Sequence, residues 1–184
     1  DGVELMRLLF VGPPGAGKGT QAERVAEALE IAHVSTGDMF RALDPETDLG
    51  KRVKAIMESG GYVSDEIVIE MLQGRISEPD AKNGYILDGF PRTTAQAEAL
   101  DGFLGEAGLD RVVLFEVDED QVVQRMLDRG RADDTEETIR TRLEVYREQT
   151  EPLIALYESR GIVTHIDASG TIEQITDRVL SELE

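Results

Sequence analysis

The sequence predicts an α/β fold in three layers, a five-stranded parallel sheet with helices on both faces. Three observations carry this. Short apolar runs alternate with longer stretches of helical periodicity along the 184 residues, the pattern of parallel strands joined by crossover helices. The first apolar run leads directly into a glycine-rich loop and then a helix. The one long stretch with little strand character, 37–77, is rich in periodic apolar residues (Leu49, Val53, Ile56, Met57), so it reads as a helical insert between strands and not as a linker.

Leu8 to Val11 reads as a buried parallel strand. Gly12-Pro13-Pro14-Gly15-Ala16-Gly17-Lys18-Gly19-Thr20 follows, with Gly12, Gly17 and Lys18 matching the G-x-x-x-x-G-K pattern. Glycines let a backbone curl so that its N–H groups face one anion, and a helix N-terminus behind them adds partial positive charge. Lys18 adds a full charge. Gly19 occupies the slot where many such loops carry a magnesium-ligating Ser or Thr, and Thr20 comes one residue later, which leaves direct ligation by the loop in doubt. Gln21 to Leu29 is the first helix and Ile31 to Val34 a second strand, ending at Ser35-Thr36-Gly37-Asp38. The insert breaks at Asp44-Pro45 and at Gly60-Gly61. Asn83-Gly84 is a turn, Tyr85 to Asp88 a third strand, and Gly89-Phe90-Pro91-Arg92 an ordered turn before a helix over Thr93 to Leu104. Val112 to Val117 is the fourth strand and Asp118 to Asp128 a helix. After a polar link, a long helix spans Thr135 to Ser159 with Pro152 expected to interrupt and kink it. Ile162 to Ile166 is the fifth strand, and Thr171 to Leu183 a final helix.

The chain has no cysteine and a formal net charge of −19. The first excludes disulfides and thiolate metal sites and points to a reducing, cytoplasmic setting. The second argues against nucleic acid or an anionic membrane as a partner. No apolar run approaches the length of a membrane span. Only four of the 19 cations are lysine; the rest are arginine, whose planar fork suits phosphate oxygens, although most pair equally well with surface carboxylates.

Several residues admit two readings. Asp88 ends a strand where ligands of open α/β sheets bind; it can orient water on a phosphate-bound magnesium ion, cap a helix or pair with an arginine. Arg125 and Arg129 share a helix face, at a spacing that repels by a few tenths of a kcal/mol unless an anion lies between them. With Arg131 and Arg142 they form either a clamp for a transferring phosphoryl group or partners for Asp128, Asp133 and Asp134. Gln96 either reads a base edge or completes a Thr93-x-x-Gln96 capping box. Thr36 and Arg41 begin the insert. His33 and His165 lie in or beside strands without metal-ligand spacing and read as structural.

Together the segments at 12–20, Ser35-Thr36-Gly37-Asp38 with Arg41, 60–66, Leu87 to Arg92, Gln96, and Arg129-Gly130-Arg131-Ala132-Asp133-Asp134 resemble the adenylate kinase family over essentially the whole chain. The resemblance implies reversible phosphoryl transfer from MgATP to AMP, giving two ADP and serving adenine nucleotide homeostasis. It implies a single kinase domain over 1–184, with a core at 1–34, 65–128 and 139–184, an AMP-binding insert at 35–64 and a lid at 129–138. By the same resemblance Gly15, Ala16, Gly17, Lys18, Gly19, Thr20, Arg125, Arg129 and Gly170 contact ATP. Thr36, Arg41, Gly61, Tyr62, Val63, Gly89, Phe90, Pro91, Arg92, Gln96, Arg131 and Arg142 contact AMP. Lys18, Arg92, Arg129, Arg131 and Arg142 carry catalysis, and Asp88 holds magnesium through water. The Phe90–Pro91 bond is expected to be cis. The lid is only a few residues long and has no cysteine, so the chain resembles the short-lid bacterial form without zinc, and a monomer is expected. The alternative within the kinases is a short-lid UMP/CMP kinase; Thr36 and Gln96 favour AMP. A GTPase would need an Asn-Lys-x-Asp motif, and the single asparagine, Asn83, precedes glycine. A silent nucleotide-binding module would have little use for Lys18, Asp88 and the arginine set.

Overall fold

The computed structural model describes residues 5–59, 63–105, 108–132 and 134–184. Its strands are β1 (Met6–Val11), β2 (Ala32–Ser35), β3 (Gly84–Asp88), β4 (Arg111–Glu116) and β5 (Val163–Asp167). They form one sheet in the order β2-β3-β1-β4-β5, with every pairing parallel. The helices are α1 (Lys18–Leu29), α2 (Thr36–Ala42), α3 (Asp48–Glu58), α4 (Asp65–Ile76), α5 (Thr94–Leu104), α6 (Glu119–Arg129), α7 (Glu136–Ser159) and α8 (Ile172–Leu183).

Successive side chains of a strand point to opposite faces, and the two cores follow from that alternation. Leu9, Val11, Val34, Leu87 and Leu114 pack with Leu72, Leu100, Leu153 and Tyr157 from α4, α5 and α7. Leu8, Phe10, Ile86, Val113 and Phe115 pack with Ala22, Val25, Ile175 and Val179 from α1 and α8. Leu72 and Leu100 are completely buried; truncating either to Ala costs about 2–5 kcal/mol. Two smaller clusters lie outside the main cores. One joins α6 and α7 through Val122, Met126, Ile139 and Leu143. The other joins the insert to α4, where Val53 of α3 meets Ile67 and Met71, with Met39, Phe40 and Leu49 against them.

The expected elements are present, with differences at their ends. Helix α1 begins at Lys18, three residues before the sequence expectation, because Gly17 takes a left-handed conformation (φ 82°) as N-cap that L side chains avoid. Helix α7 runs from Glu136 to Ser159 with Pro152 inside it, so the proline does not end the helix. Both ends of α7 are anchored, by Leu153 and Tyr157 in the core beyond the proline and by Ile139 and Leu143 before it. Among the described residues no helix is long and apolar enough to cross a membrane.

Candidate active site

Strand order reverses around β1, and the crevice at the carboxyl ends of β1 and β3 is where such sheets bind ligands. The glycine loop after β1 opens there. Ala16 N–H donates to Pro13 O (3.1 Å) and Gln21 N–H to Gly17 O (3.0 Å). The loop therefore turns tightly into α1, whose first N–H groups have no partner within the helix. Next to it is a cavity of about 690 Å³, within the size range of small-molecule sites.

Five cations line this cavity: Lys18, Arg92, Arg125, Arg129 and Arg142. Each comes from a different part of the fold or a different turn. Lys18 starts α1; Arg92 follows β3; Arg125 and Arg129 lie one turn apart on α6; Arg142 is on α7. Gly15, Gly17, Gly19, Thr20, Gly89 and Pro91 complete the loop side of the wall. From the far side α7 contributes Tyr146, Gln149 and Thr150, which the sequence reading missed; a helix face that is polar at Gln149 and Thr150 beside core Leu153 was the available signal.

Two carboxylates organise these cations. Asp88, last residue of β3, accepts from Lys18 Nζ (2.9 Å) and from His33 Nε2 (3.0 Å), and its side chain is 12% exposed. Burial pushes its pKa up, but the His33 hydrogen bond and the Lys18 charge outweigh burial and bring it down to about 2. His33, read from sequence as structural, thus reaches the site: its strand pairs with β3 so that Ser35 stands opposite Asp88, and residues two apart share a face. A Cβ at Gly19 would lie 3.9 Å from Asp88 Oδ2, so the slot that lacks a hydroxyl faces a carboxylate. Asp134 has a side chain only 1% exposed and accepts from Arg129 Nη2 (2.7 Å) and Arg142 Nη1 (2.9 Å). The Arg129 hydrogen bond, with that of Arg142, holds its carboxyl below the usual carboxylate range.

The remaining candidate residues lie around this centre. The Phe90–Pro91 bond is cis, and Phe90 is buried in the core. Arg92 Nε donates to Gly89 O (2.8 Å). Gly89, at φ 103°, stands where a Cβ would come within 2.4 Å of Thr36 Oγ1, which ties the start of α2 to the turn after β3. Ala16 is buried beneath the loop. Arg125 Nη2 donates to Ala168 O (2.9 Å), two residues before Gly170. Thr36, Arg41, Val63, Gln96, Arg131 and Gly170 are not part of the cavity wall; Arg41 pairs with Asp38, and Arg131 is exposed. Gly61 and Tyr62 lie outside the described residues, as does Asp133.

The Thr93-x-x-Gln96 box forms in half. Gln96 N–H donates to Thr93 Oγ1 (3.2 Å), but the Gln96 side chain accepts from Arg92 N–H (2.7 Å) instead of from the N-cap residue itself. Its other end donates to Asp65 Oδ1 (3.0 Å). Among the described residues no group of three or more His, Asp or Glu side chains could hold a metal ion unaided.

The adenylate kinase family model matches residues 10–162. A protein of Corynebacterium urealyticum named adenylate kinase is 51% identical over 182 residues, 97% of this chain and 99% of its own length. Proteins of the same name from Thermobifida fusca and Stenotrophomonas maltophilia are 52% and 48% identical over 186 residues, covering 97% of this chain and 98% and 100% of theirs.

Proposed function

The chain belongs to the adenylate kinase family of nucleoside monophosphate kinases, and we propose that it moves the γ-phosphoryl group of ATP to AMP, reversibly, at the cavity beside the glycine loop. The observation that carries this reading is the convergence of Lys18, Arg92, Arg125, Arg129 and Arg142 on one cavity in a chain of net charge −19. Asp88 and Asp134 offset part of this charge, but five cations outnumber two carboxylates, and the excess favours a further anion in the cavity. Two bound nucleotides supply that anion.

In this reading the loop from Gly15 to Thr20 and the start of α1 cradle the ATP phosphates, with Arg125, Arg129 and the backbone at Gly170 on the ATP side. Thr36, Arg41, Gly61, Tyr62, Val63, Gly89, Phe90, Pro91, Arg92 and Gln96 form the AMP side, and Arg131 and Arg142 reach the AMP phosphate and the transferring group. An AMP phosphate oxygen forms a bond to the γ-phosphorus while the bond to the β,γ-bridging oxygen breaks, leaving ADP on both sides. The nucleophile is already an anion at neutral pH, so no side chain has to take a proton. Catalysis is alignment plus stabilisation of charge on the transferring group; each well-placed cation contributes on the order of 10²–10³ in rate.

The family uses magnesium with ATP, and the donor set fits it. Asp88 is an ionised carboxylate at the loop, a hard oxygen donor suited to magnesium. It would hold the ion through water, with phosphate oxygens as direct ligands. The bound ion neutralises phosphate charge. With no cysteine in the chain, the reading includes no zinc.

The proposed division is a core (1–34, 65–128, 139–184), an AMP-binding insert (35–64) and a short lid (129–138). Val53 of the insert packs on Ile67 and Met71 of α4, so α4 is the core surface on which the insert rests. Lid and insert close before transfer, because water would otherwise compete as acceptor. The protein is proposed to work as a cytoplasmic monomer in adenine nucleotide homeostasis, without nucleic-acid or membrane partners.

A coupled assay with MgATP and a panel of AMP, GMP, CMP, UMP and no acceptor tests the reading. ADP formation that requires AMP and collapses in Lys18→Ala is the expected result. A preference for UMP or CMP would move the chain to the pyrimidine kinases, and acceptor-independent ATP loss would make it an ATPase.

A further inference from the structure

We propose that Asp65 is a specificity-determining residue: it fixes the polarity of the Gln96 amide and thereby selects an adenine edge over a 6-oxopurine edge in the acceptor nucleotide. The inference rests on the proposed placement of Gln96 at the AMP base. Asp65 is the first residue of α4, directly after the N-cap Ser64, where the insert rejoins the core.

A glutamine amide can usually be turned over, exchanging its carbonyl and its NH₂ with little change in shape. Here it cannot. Gln96 Oε1 faces the N–H of Arg92 at 2.7 Å, a group that only donates. Gln96 Nε2 faces Asp65 Oδ1 at 3.0 Å, and a carboxylate at neutral pH only accepts. Turning the amide would set NH₂ against N–H and carbonyl against carboxylate, two repulsive contacts in place of two hydrogen bonds. The main chain beneath is also fixed, since Gln96 N–H donates to Thr93 Oγ1 at the start of α5. Side chain and backbone together leave one orientation.

Those two bonds use one N–H and one lone pair of the amide. The amide keeps a second N–H and a second lone pair, and in the inferred arrangement these form the carbonyl-to-NH₂ edge that the base meets, in fixed order. Adenine presents an N6–H donor next to an N1 acceptor, which matches carbonyl and N–H in that order. Hypoxanthine and guanine present an O6 acceptor next to an N1–H donor and need the amide reversed. A site built to hydrogen-bond one edge rejects the other strongly, because its own polar groups are left opposed. Of the two locking partners, the Arg92 N–H belongs to the backbone and is present whatever the side chains. Asp65 is the part of the lock that the sequence chooses.

The test compares kcat/KM for AMP and for inosine monophosphate, which differs from AMP only at the edge in question and lacks the extra 2-amino group of GMP. Wild type, Asp65→Ala, Asp65→Asn and Gln96→Ala are assayed with MgATP at neutral pH. Asp65 is exposed, so its truncation leaves the fold intact, which thermal melting checks. Asp65→Ala is expected to raise the IMP-to-AMP ratio of kcat/KM about tenfold, chiefly through a higher KM for AMP, with kcat at saturating AMP nearly unchanged. Asp65→Asn replaces a group that only accepts by an amide that can turn over and either accept or donate, so it is expected to loosen the lock and raise the ratio as well. A merely structural role would lower both activities together and leave the ratio where it was. If Gln96→Ala shifts the ratio and Asp65→Ala does not, the lock is overturned while Gln96 stays at the base. If Gln96→Ala does not shift it either, the placement of Gln96 fails, and this inference with it.

Discussion

Lys18 Nζ lies 2.9 Å from Asp88 Oδ1, so the lysine of the glycine loop is held by the acid that ends the neighbouring strand. The pairing follows from the sheet: β1 and β3 are adjacent and parallel, with Phe10 opposite Asp88, so the loop after one strand opens beside the last residue of the other. The same carboxylate takes His33 on its second oxygen, and it binds three functions together: sheet pairing, lysine placement and the proposed magnesium water shell.

The first prediction concerns Asp88 and acid. Its folded pKa of about 2 lies below the ordinary aspartate value of 3.8. A depressed carboxylate contributes stability that is present above the unfolded pKa and lost as pH falls through the folded one. Asp88→Asn should therefore cost about 2 kcal/mol at pH 7, and the difference from wild type should shrink as pH falls from about 4 towards 2. Denaturant melts at pH 7 and pH 3 measure it; equal differences at both would show that the charge is not the source.

A second prediction separates positioning from binding at the lid. Asp134 links Arg129 and Arg142 at the point where both reach the cavity. Asp134→Ala leaves both arginines in the chain but removes the group that aims them. Steady-state kinetics should show kcat down by about tenfold, against 10²–10³ for Arg142→Ala, with KM for AMP changed less than about threefold in Asp134→Ala. An unchanged kcat would mean that the arginines are placed without it.

On the opposite edge of the sheet, His165 donates to Glu116 and, at 2.6 Å, to Glu158. The Glu116 hydrogen bond, then that of Glu158, raises its pKa above 6.5. A raised histidine adds stability that is complete below the unfolded pKa and lost as pH rises through the folded one. His165→Gln should lower Tm by one to three degrees, on the order expected of an exposed ion pair, at pH 6. The gap should narrow as pH rises from 6 and close above the folded pKa. Melting curves across that range are the measurement, and a gap independent of pH would refute the assignment.

Net charge gives a fourth. At −19 the compact state repels itself, and salt screens that repulsion over a Debye length of roughly 10 Å at 0.1 M. Tm should rise between low and moderate ionic strength. A flat or falling curve would mean that the ion pairs lost to screening, among them Arg75–Asp80 and Arg160–Asp101, outweigh the repulsion relieved.

Much of this was legible in the chain because the signals are local. The glycine loop is nine consecutive residues, and the strands are runs of apolar residues bounded by turns. Helix starts at Thr135 and Thr171 are marked by capping side chains that accept from residues three further on. Less was legible where a residue's role depends on its neighbour in space. His33 gave no sign of Asp88, 55 positions away, and Gln96, open to a base-edge or a capping role, gave no sign of Asp65, 31 positions back, on its amide. Tyr146 read only as part of the buried face of its helix and Gln149 gave no sign of a site, since nothing in their own segment says which cavity α7 borders.

By itself the sequence determined the layers, the parallel strands, the loop chemistry and the set of cations available, because these depend on periodicity, backbone permissiveness and residue type within a few positions. The tertiary structure decided which cations share a cavity, which carboxylate or backbone carbonyl holds each one, and which way round a glutamine amide must face. Those are matters of distance and orientation between segments far apart in the chain, and a hydrogen bond exists only when donor and acceptor are brought within about 3 Å of each other.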